Sequence, residues 1–386
     1  MDRLGAGSRG APPRPGGAAR LGRTERSYDW LVVGAGPAGL AAVGKLLDNG
    51  VAGGSICWVD PLFSVGDLGL KWKGVSSNTK AHLFRGFLRG CASFGYEVAE
   101  QGFALEALGG QEPCLLEDVV EPLQWVTDRL MSKVCAVRSE VTELRWSNNS
   151  WMALVGRSEV RAGNVILAIG AEPLSLGYSL PAIGLEDALD LERVKGAVGP
   201  EDVVAVFGSS HSAMMAVHNL TDAGVRRVIN FYRTPLRYAV DYGSWILYDN
   251  TGLKGVTAEW TRRTMGTIPK RRLLRVRADD QNISKYLSQC SKVVYGVGFK
   301  ARTLDVQGAD LAHYDPRTGV IAPGLYGCGI AFPERVVDRT GNVEYNVGIW
   351  KFIQYLDRVV PTWIHAEAMT KEPSNSSRAA VAPIQP

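Results

Sequence analysis

The chain of 386 residues has no CxxC pair, no cysteine–histidine cluster and only five histidines. Its six cysteines, Cys57, Cys91, Cys114, Cys135, Cys290 and Cys328, are scattered. A structural zinc site needs closely spaced sulfur and nitrogen ligands, and a dithiol relay needs two thiols in one short motif. Neither pattern is there, so no metal is expected and disulfide reduction through the protein is excluded. Scattered thiols in a chain this long read as reduced, mostly buried residues of a cytoplasmic protein. The sequons Asn148-Asn149-Ser150 and Asn282-Ile283-Ser284 are then chance matches.

Long apolar runs are also missing. No stretch of 18 residues escapes polar or glycine punctuation, so no integral membrane span is expected. Residues 1–27 hold six arginines against Asp2 and Glu25 and carry the whole formal charge of +4, which leaves the remainder neutral. A nucleic-acid surface needs clustered cations to replace condensed counterions, so no nucleic-acid partner is expected. That Gly/Ala/Pro/Arg-rich segment has no apolar period and reads as a disordered extension, with an organelle transit peptide as the alternative. Residues 371–386 read as a disordered tail.

What is present suits two domains. Short β-branched runs at Trp30–Val33, Ser55–Val59, Val165–Ile169, Val203–Phe207, Val228–Phe231 and Lys292–Val297 alternate with helical stretches. That alternation predicts an α/β fold with parallel sheets. Val134–Asn164, broken by the turn Ser147-Asn148-Asn149-Ser150, predicts an antiparallel β meander.

A strand–glycine turn–helix unit occurs twice. In the first, Leu31-Val-Val-Gly34-Ala-Gly36-Pro37-Ala38-Gly39-Leu40 is GxGxxG between a strand and a helix. Gly34 allows the tight turn, Gly36 lets the backbone approach a pyrophosphate, and Gly39 lets helix and strand pack closely. The helix offers its unpaired N–H groups and positive dipole end to that phosphate. Asp60, ending the next strand, can accept hydrogen bonds from ribose hydroxyls.

The second unit, Val203-Val-Ala-Val-Phe-Gly208-Ser209-Ser210-His211-Ser212-Ala213, has GxSxSA in place of GxGxxG. Gly208 keeps the turn, the Ser210 hydroxyl can donate to a phosphate oxygen, and Ala213 is a tolerated third position. His211 is read as lining the helix start. The following strand ends Asn230-Phe231-Tyr232-Arg233 with no acid. Arg233 can clamp a 2′-phosphate with its planar fork, which favours NADPH over NADH.

These residues resemble the flavoproteins with two dinucleotide-binding domains, the pyridine nucleotide-disulfide oxidoreductases and flavin-containing monooxygenases, over roughly Tyr28–Trp363. The resemblance implies two Rossmann-like domains, an FAD domain over 28–170 and 292–365 and an inserted NAD(P)H domain over 171–291. Val165–Pro173, with Gly170, resembles the strand where the chain leaves the first domain, and Val293–Phe299 its counterpart at the end of the second. Leu325–Ile330, with Gly327 and Gly329, resembles the closing strand of the flavin site. It lacks the family's acid; none occurs before Glu334. Asn346 is expected to cap a helix whose apolar face is Val347, Trp350, Ile353 and Leu356, aimed at the flavin pyrimidine.

Lys73-Gly-Val-Ser-Ser-Asn78-Thr-Lys80 is similar to the asparagine-containing segment that the monooxygenases place beside the flavin, and makes Asn78 the catalytic candidate. The fingerprint FxGxxxHxxx(W/Y) of that branch is missing. Tyr242–Arg277 reads as a solvated excursion of the second domain, with a cap over the substrate pocket as the alternative. The resemblance implies an FAD-dependent oxidoreductase, expected to be a monooxygenase using NADPH and dioxygen on a small-molecule substrate. A dehydrogenase serving a quinone or protein acceptor, or a nucleotide-binding protein without turnover, are the alternatives.

Overall fold

The computed structural model describes residues 26–371. The targeting or extension readings of the first residues, and all of the tail reading beyond Lys371, lie outside them. The first strand β1 (Arg26–Val33) already begins at Arg26, inside the segment read as an extension, because Arg26 and Ser27 pair with Val160 and Arg161.

The first half of the chain builds one large sheet. After β1 come helix α1 (Pro37–Asp48), β2 (Ile56–Asp60), the short α2 (Gly66–Lys71), and a small antiparallel pair, β3 (Ser76–Lys80) with β4 (Pro113–Leu115). Helix α3 (Leu116–Met131) leads to β5 (Cys135–Arg138), β6 (Val141–Ser147), β7 (Ser150–Val155) and β8 (Ser158–Leu167). β5 runs parallel beside β2, so it belongs to the Rossmann order and not to the meander expected from Val134 onward. The meander is β6–β7–β8. β8 is one ten-residue strand whose first part pairs antiparallel with β7 while its length lies parallel to β1. The meander is therefore continuous with the parallel sheet.

The chain crosses out through β9 (Ala171–Pro173) into a four-stranded parallel sheet of β10 (Val203–Phe207), β11 (Arg227–Tyr232), β12 (Leu273–Arg277) and β13 (Lys292–Tyr295). Helix α4 (His211–Asp222) links β10 to β11, and α5 (Gly255–Thr264) precedes β12. β13 pairs parallel with β10. Lys292–Tyr295 therefore belongs to the second sheet, a correction to the boundary at 291/292. The return strand β14 (Phe299–Ala301) pairs antiparallel with β9, which makes a two-stranded connection between the sheets.

The chain then completes the first sheet with β15 (Asp305–Gln307) beside β6 and with β16 (Val320–Ala322) and β17 (Leu325–Gly327), the latter parallel to β8. A hairpin of β18 (Glu334–Val337) and β19 (Val343–Asn346) precedes the long helix α6 (Ile349–Lys371). On one face of the sheet, α1, α3 and α6 bury a single core. Within it Trp30 stacks on Tyr326 and Tyr326 on Trp363, with ring centroids 5.9 and 4.5 Å apart. Aromatic pairs of this kind add about 1 kcal/mol each beyond their burial. The other face is covered by the meander, with Leu31, Cys57, Trp151 and Leu167 inside.

Candidate functional site

Both glycine turns stand where parallel strands end and a helix begins, which is where open α/β sheets bind ligands. In the first, the Gly34 N–H donates to Val59 O at 2.8 Å, and the Trp58 indole donates to Gly34 O at 2.9 Å. Gly34 is at φ +103°, and a Cβ there would stand 2.4 Å from Ala168 O. One at Gly39 would stand 2.0 Å from Gly34 O. Only Gly36 differs: a Cβ there would meet nothing nearer than the Cα of Gly66, at 4.0 Å. Helix α1 has no side-chain cap at Gly36. Space over Gly36 and an uncapped helix start are the cradle a pyrophosphate fits.

Asp60, at the tip of β2, is buried. Its Oδ2 accepts the Ala35 N–H at 2.8 Å, and its Oδ1 accepts those of Leu62 and Phe63 at 2.9 and 2.7 Å. The carboxylate thus staples strand, glycine turn and following loop together, and Oδ2 keeps a lone pair for a further donor. That loop is strained: Val65, a β-branched residue, sits at φ +59° and Phe63 at +53°. Sequence reading missed it; Gly66, at φ +59°, where a Cβ would come within 3.0 Å of the Gly36 Cα, is its one sequence sign of a close backbone approach. Arg302 pairs with Asp67 at 2.5 Å and donates to Ile169 O at 3.3 Å, while its own N–H donates to the carbonyl of Gly170, which lies at φ +75°.

The second turn is built alike and finished differently. Gly208 is at φ +122° and its N–H donates to Phe231 O at 2.8 Å. The fully buried Asn230 donates to Val206 O and Gly208 O and accepts from Arg275 at 3.0 Å. The Ser210 hydroxyl donates to Gly296 O at 3.0 Å and accepts from Ala213 N at 3.5 Å. Its hydroxyl is thus directed at the fold, while Ser210 also lines the cavity over this turn. Ser209 likewise donates to Thr234 O at 2.9 Å. Ala213 explains the missing third glycine: a Cβ on Gly296 would be 2.7 Å from the Ala213 methyl, so the small residue is carried by the facing strand's end.

Over this turn lies a cavity of about 400 Å³ walled by Gly208, Ser209, Arg233, Thr234, Tyr178 and Gly298. Arg233 is exposed at its rim. Tyr178, which stacks on Phe207 with centroids 5.0 Å apart, and Ile283 carried no sequence signal. Ser212 lies in the first turn of α4, half-buried.

His211 is not in that cavity. It lines a second one of about 250 Å³ with Asn78, Met215, His218, Lys254 and Thr257. Its Nδ1 is buried without a partner and its Nε2 lies 3.4 Å from Thr257 Oγ1. Burial, then the Lys254 charge, lowers its pKa to about 4, so it is neutral at pH 7. Asn78 is exposed on β3, with Thr79 Oγ1 3.4 Å from its Oδ1, and also lines an adjoining cavity of about 260 Å³ with Lys80, Leu253, Lys254 and Arg262. Asn78 and Lys254 thus mark one groove between the β3 edge and helix α5.

No family model matches the chain. Monooxygenase AgnR1 of Paecilomyces divaricatus is 33% identical to it, over 87% of this chain and 98% of that protein. The chain belongs to this monooxygenase family. It is an oxidoreductase with the fold of the two-dinucleotide-domain flavoproteins. The ornithine N-hydroxylase of Kutzneria sp. 744 superposes with a TM-score of 0.61 at 15% identity, over 88% of this chain and 99% of that one. The flavin-containing monooxygenase of Stenotrophomonas maltophilia gives 0.59 at 15%, covering 89% and 99%. Bacillithiol disulfide reductase Bdr of Staphylococcus aureus gives 0.58 at 12%, covering 90% and 100%.

In this member of the family the closing segment departs from expectation. Gly329, at φ +82°, abuts Ala38 at the start of α1, where a Cβ would come within 2.6 Å of the alanine methyl. Gly327 instead makes room for Phe332, whose ring a Cβ would meet at 2.4 Å, so it serves packing. Asn346 does not cap a helix. It ends β19, donates to Glu334 at 2.7 Å and accepts from Asn250 at 3.1 Å. α6 starts at Ile349 with Gly348 O taking its first N–H groups, and Val347 is exposed outside it. Tyr242–Arg277 is exposed at residues 242–244 and 269–272 but anchored between them: Asp249 pairs with Lys254 and Lys351, and Trp260 and Thr261 of α5 are buried. Among the described residues no acidic, histidine and cysteine cluster could hold a metal, and no helix is long and apolar enough to cross a membrane.

Proposed function

We propose that this chain is an FAD-dependent monooxygenase that takes hydride from NADPH and turns dioxygen on a small organic substrate. The observation that carries the reading is the unequal finish of its two glycine turns: an uncapped helix start open above Gly36, and a cavity of about 400 Å³ beside Arg233. A bound flavin would supply the two-electron redox chemistry and the activation of oxygen. The chain's own residues do the rest. The backbone at Gly36, Pro37, Ala38 and Gly39 would hold the flavin pyrophosphate, and Asp60 Oδ2 would accept a ribose hydroxyl. Gly170 and Gly329 flank the same turn from neighbouring strands.

At the second turn, the N–H groups around Gly208 to Ser212 would hold the NADPH pyrophosphate, and Arg233 its 2′-phosphate. Asn78 would orient substrate from the β3 side of the groove, with Lys254 and Thr257 opposite. Neutral His211 forms part of that wall, where it excludes water without adding charge. The test is direct. Full-length protein should purify yellow with stoichiometric FAD, oxidise NADPH faster than NADH, and place one atom of labelled dioxygen in a product. Colourless protein, or electrons passed to a quinone with no label incorporated, overturns the proposal.

A further inference from the structure

Two cysteines on adjacent strands belong to none of this machinery. Cys57 on β2 and Cys135 at the start of β5 are direct register partners in a parallel pair. Neighbouring strands stand about 4.8 Å apart, and partners in register project to the same face. That spacing falls inside the roughly 4.4–6.8 Å between Cα atoms that a disulfide spans. Cys57 is fully buried, whereas Cys135 is half-buried and within reach of solvent.

The surroundings of Cys135 are those of a reactive thiol. The Tyr28 hydroxyl lies 3.0 Å from its Sγ. Cys57 faces it across the strand pair, and Arg26 contributes positive charge. The influence of Cys57 is the largest; with Tyr28 and Arg26 it outweighs burial and lowers the Cys135 pKa. Cys57 is correspondingly pushed up. Burial also pushes up the thiols of Cys91, Cys114, Cys290 and Cys328. The thiolate is the nucleophile, so one sulfur of the six stands apart.

We propose that Cys135 is a peroxide-reactive thiol and Cys57 its resolving partner, joined by a disulfide on oxidation. The Cys135 thiolate attacks one oxygen of hydrogen peroxide, the O–O bond breaks, and hydroxide leaves as water after taking a proton. Cys135 is then a sulfenic acid. The Cys57 sulfur gives up its proton and attacks the Cys135 sulfur, the S–O bond breaks, and a second water leaves. Peroxide accepts two electrons, one from each sulfur. The bond ties β2, which ends at Asp60, to the edge strand β5, whose Arg138 is the register partner of Asp60.

The experiment treats reduced full-length protein with one equivalent of hydrogen peroxide and maps its peptides by mass spectrometry. The expected result is a Cys57–Cys135 cross-link, lighter by two hydrogens, formed before any other cysteine reacts. Cys57→Ser should instead leave a sulfenic acid on Cys135 that dimedone traps. Tyr28→Phe should slow the first step about tenfold, the worth of one charge-assisted hydrogen bond. Oxidation beginning at another cysteine, or Cys135 reacting while Cys57 stays free in the wild type, overturns the proposal. The wild-type map decides this even if a variant fails to fold.

Discussion

The buried carboxylate of Glu344 accepts the Thr251 hydroxyl at 2.5 Å and the Thr251 N–H at 3.1 Å, tying the second domain to the hairpin before α6. The Asn250 N–H adds a third bond at 3.1 Å, and Lys351 donates to the Asn250 amide oxygen at 2.7 Å. Asp249, raised by burial but lowered more by Lys254 and Lys351, stays ionised beside them. This stretch of the segment read as a solvent excursion therefore adds a tie between the two domains beside the groove.

Glu344→Ala would leave three donors without their acceptor. Buried hydrogen bonds to a charged group are worth about 1.5–3 kcal/mol each, although a loop this near the surface recovers part from water, so a loss of about 3 kcal/mol is expected. Thr251→Val, which removes only the hydroxyl, should cost about 1 kcal/mol. Urea unfolding measures both, and protease cleavage within 246–254 should speed up in Glu344→Ala. Unchanged cleavage would show that the loop is held by other contacts.

Gly34 and Gly36 of the first turn should fail in different ways. Gly34→Ala forces a side chain at φ +103° within 2.4 Å of Ala168 O, so it should lower stability by at least about 2 kcal/mol. Gly36→Val projects into the space above the turn and should fold normally, yet purify without flavin. Absorbance at the flavin band against the protein band, with thermal melts alongside, separates the two. A Gly36→Val protein with a full flavin complement refutes the pyrophosphate assignment.

Arg233→Ala should raise KM for NADPH about ten- to a hundredfold while leaving that for NADH nearly unchanged, because a charge-assisted contact is worth about 1.5–3 kcal/mol. Steady-state kinetics with both cofactors provides the check. Equal losses would mean that Arg233 does not discriminate between them.

His211 gives the protein a signed pH dependence. Its folded pKa is lowered to about 4, against about 6.5 when unfolded, so the unfolded chain binds more protons between those values. Stability from this residue is complete above pH 6.5 and declines as pH falls toward 4, by about 3 kcal/mol at most. His211→Asn should flatten the unfolding free energy across that window relative to wild type. A wild-type protein equally stable at pH 4.5 and 7 would contradict a buried neutral imidazole.

Local chemistry made much of this molecule legible in its sequence. Gly34, Gly39 and Gly208 are dictated by backbone conformation and close packing, and Asp60 by its place at a strand tip. Such constraints act over a few residues, so they leave a readable pattern. The same holds for the strand runs at Val203–Phe207 and Val228–Phe231, whose β-branched residues mark strands buried on both faces.

Tertiary structure decided whatever depends on partners far along the chain. Ser210 looked free for a phosphate, yet its hydroxyl donates to Gly296 O just past β13. His211 sits inside a cofactor motif, yet the first turn of α4 aims it at Thr257 and the groove. Asn346 had the composition of a helix cap, but Glu334 and Asn250 claim it. Cys57 and Cys135 read as unrelated thiols until parallel pairing set them side by side. A short polar side chain satisfies whichever donor or acceptor the fold brings near, and a sequence motif cannot state which one that is.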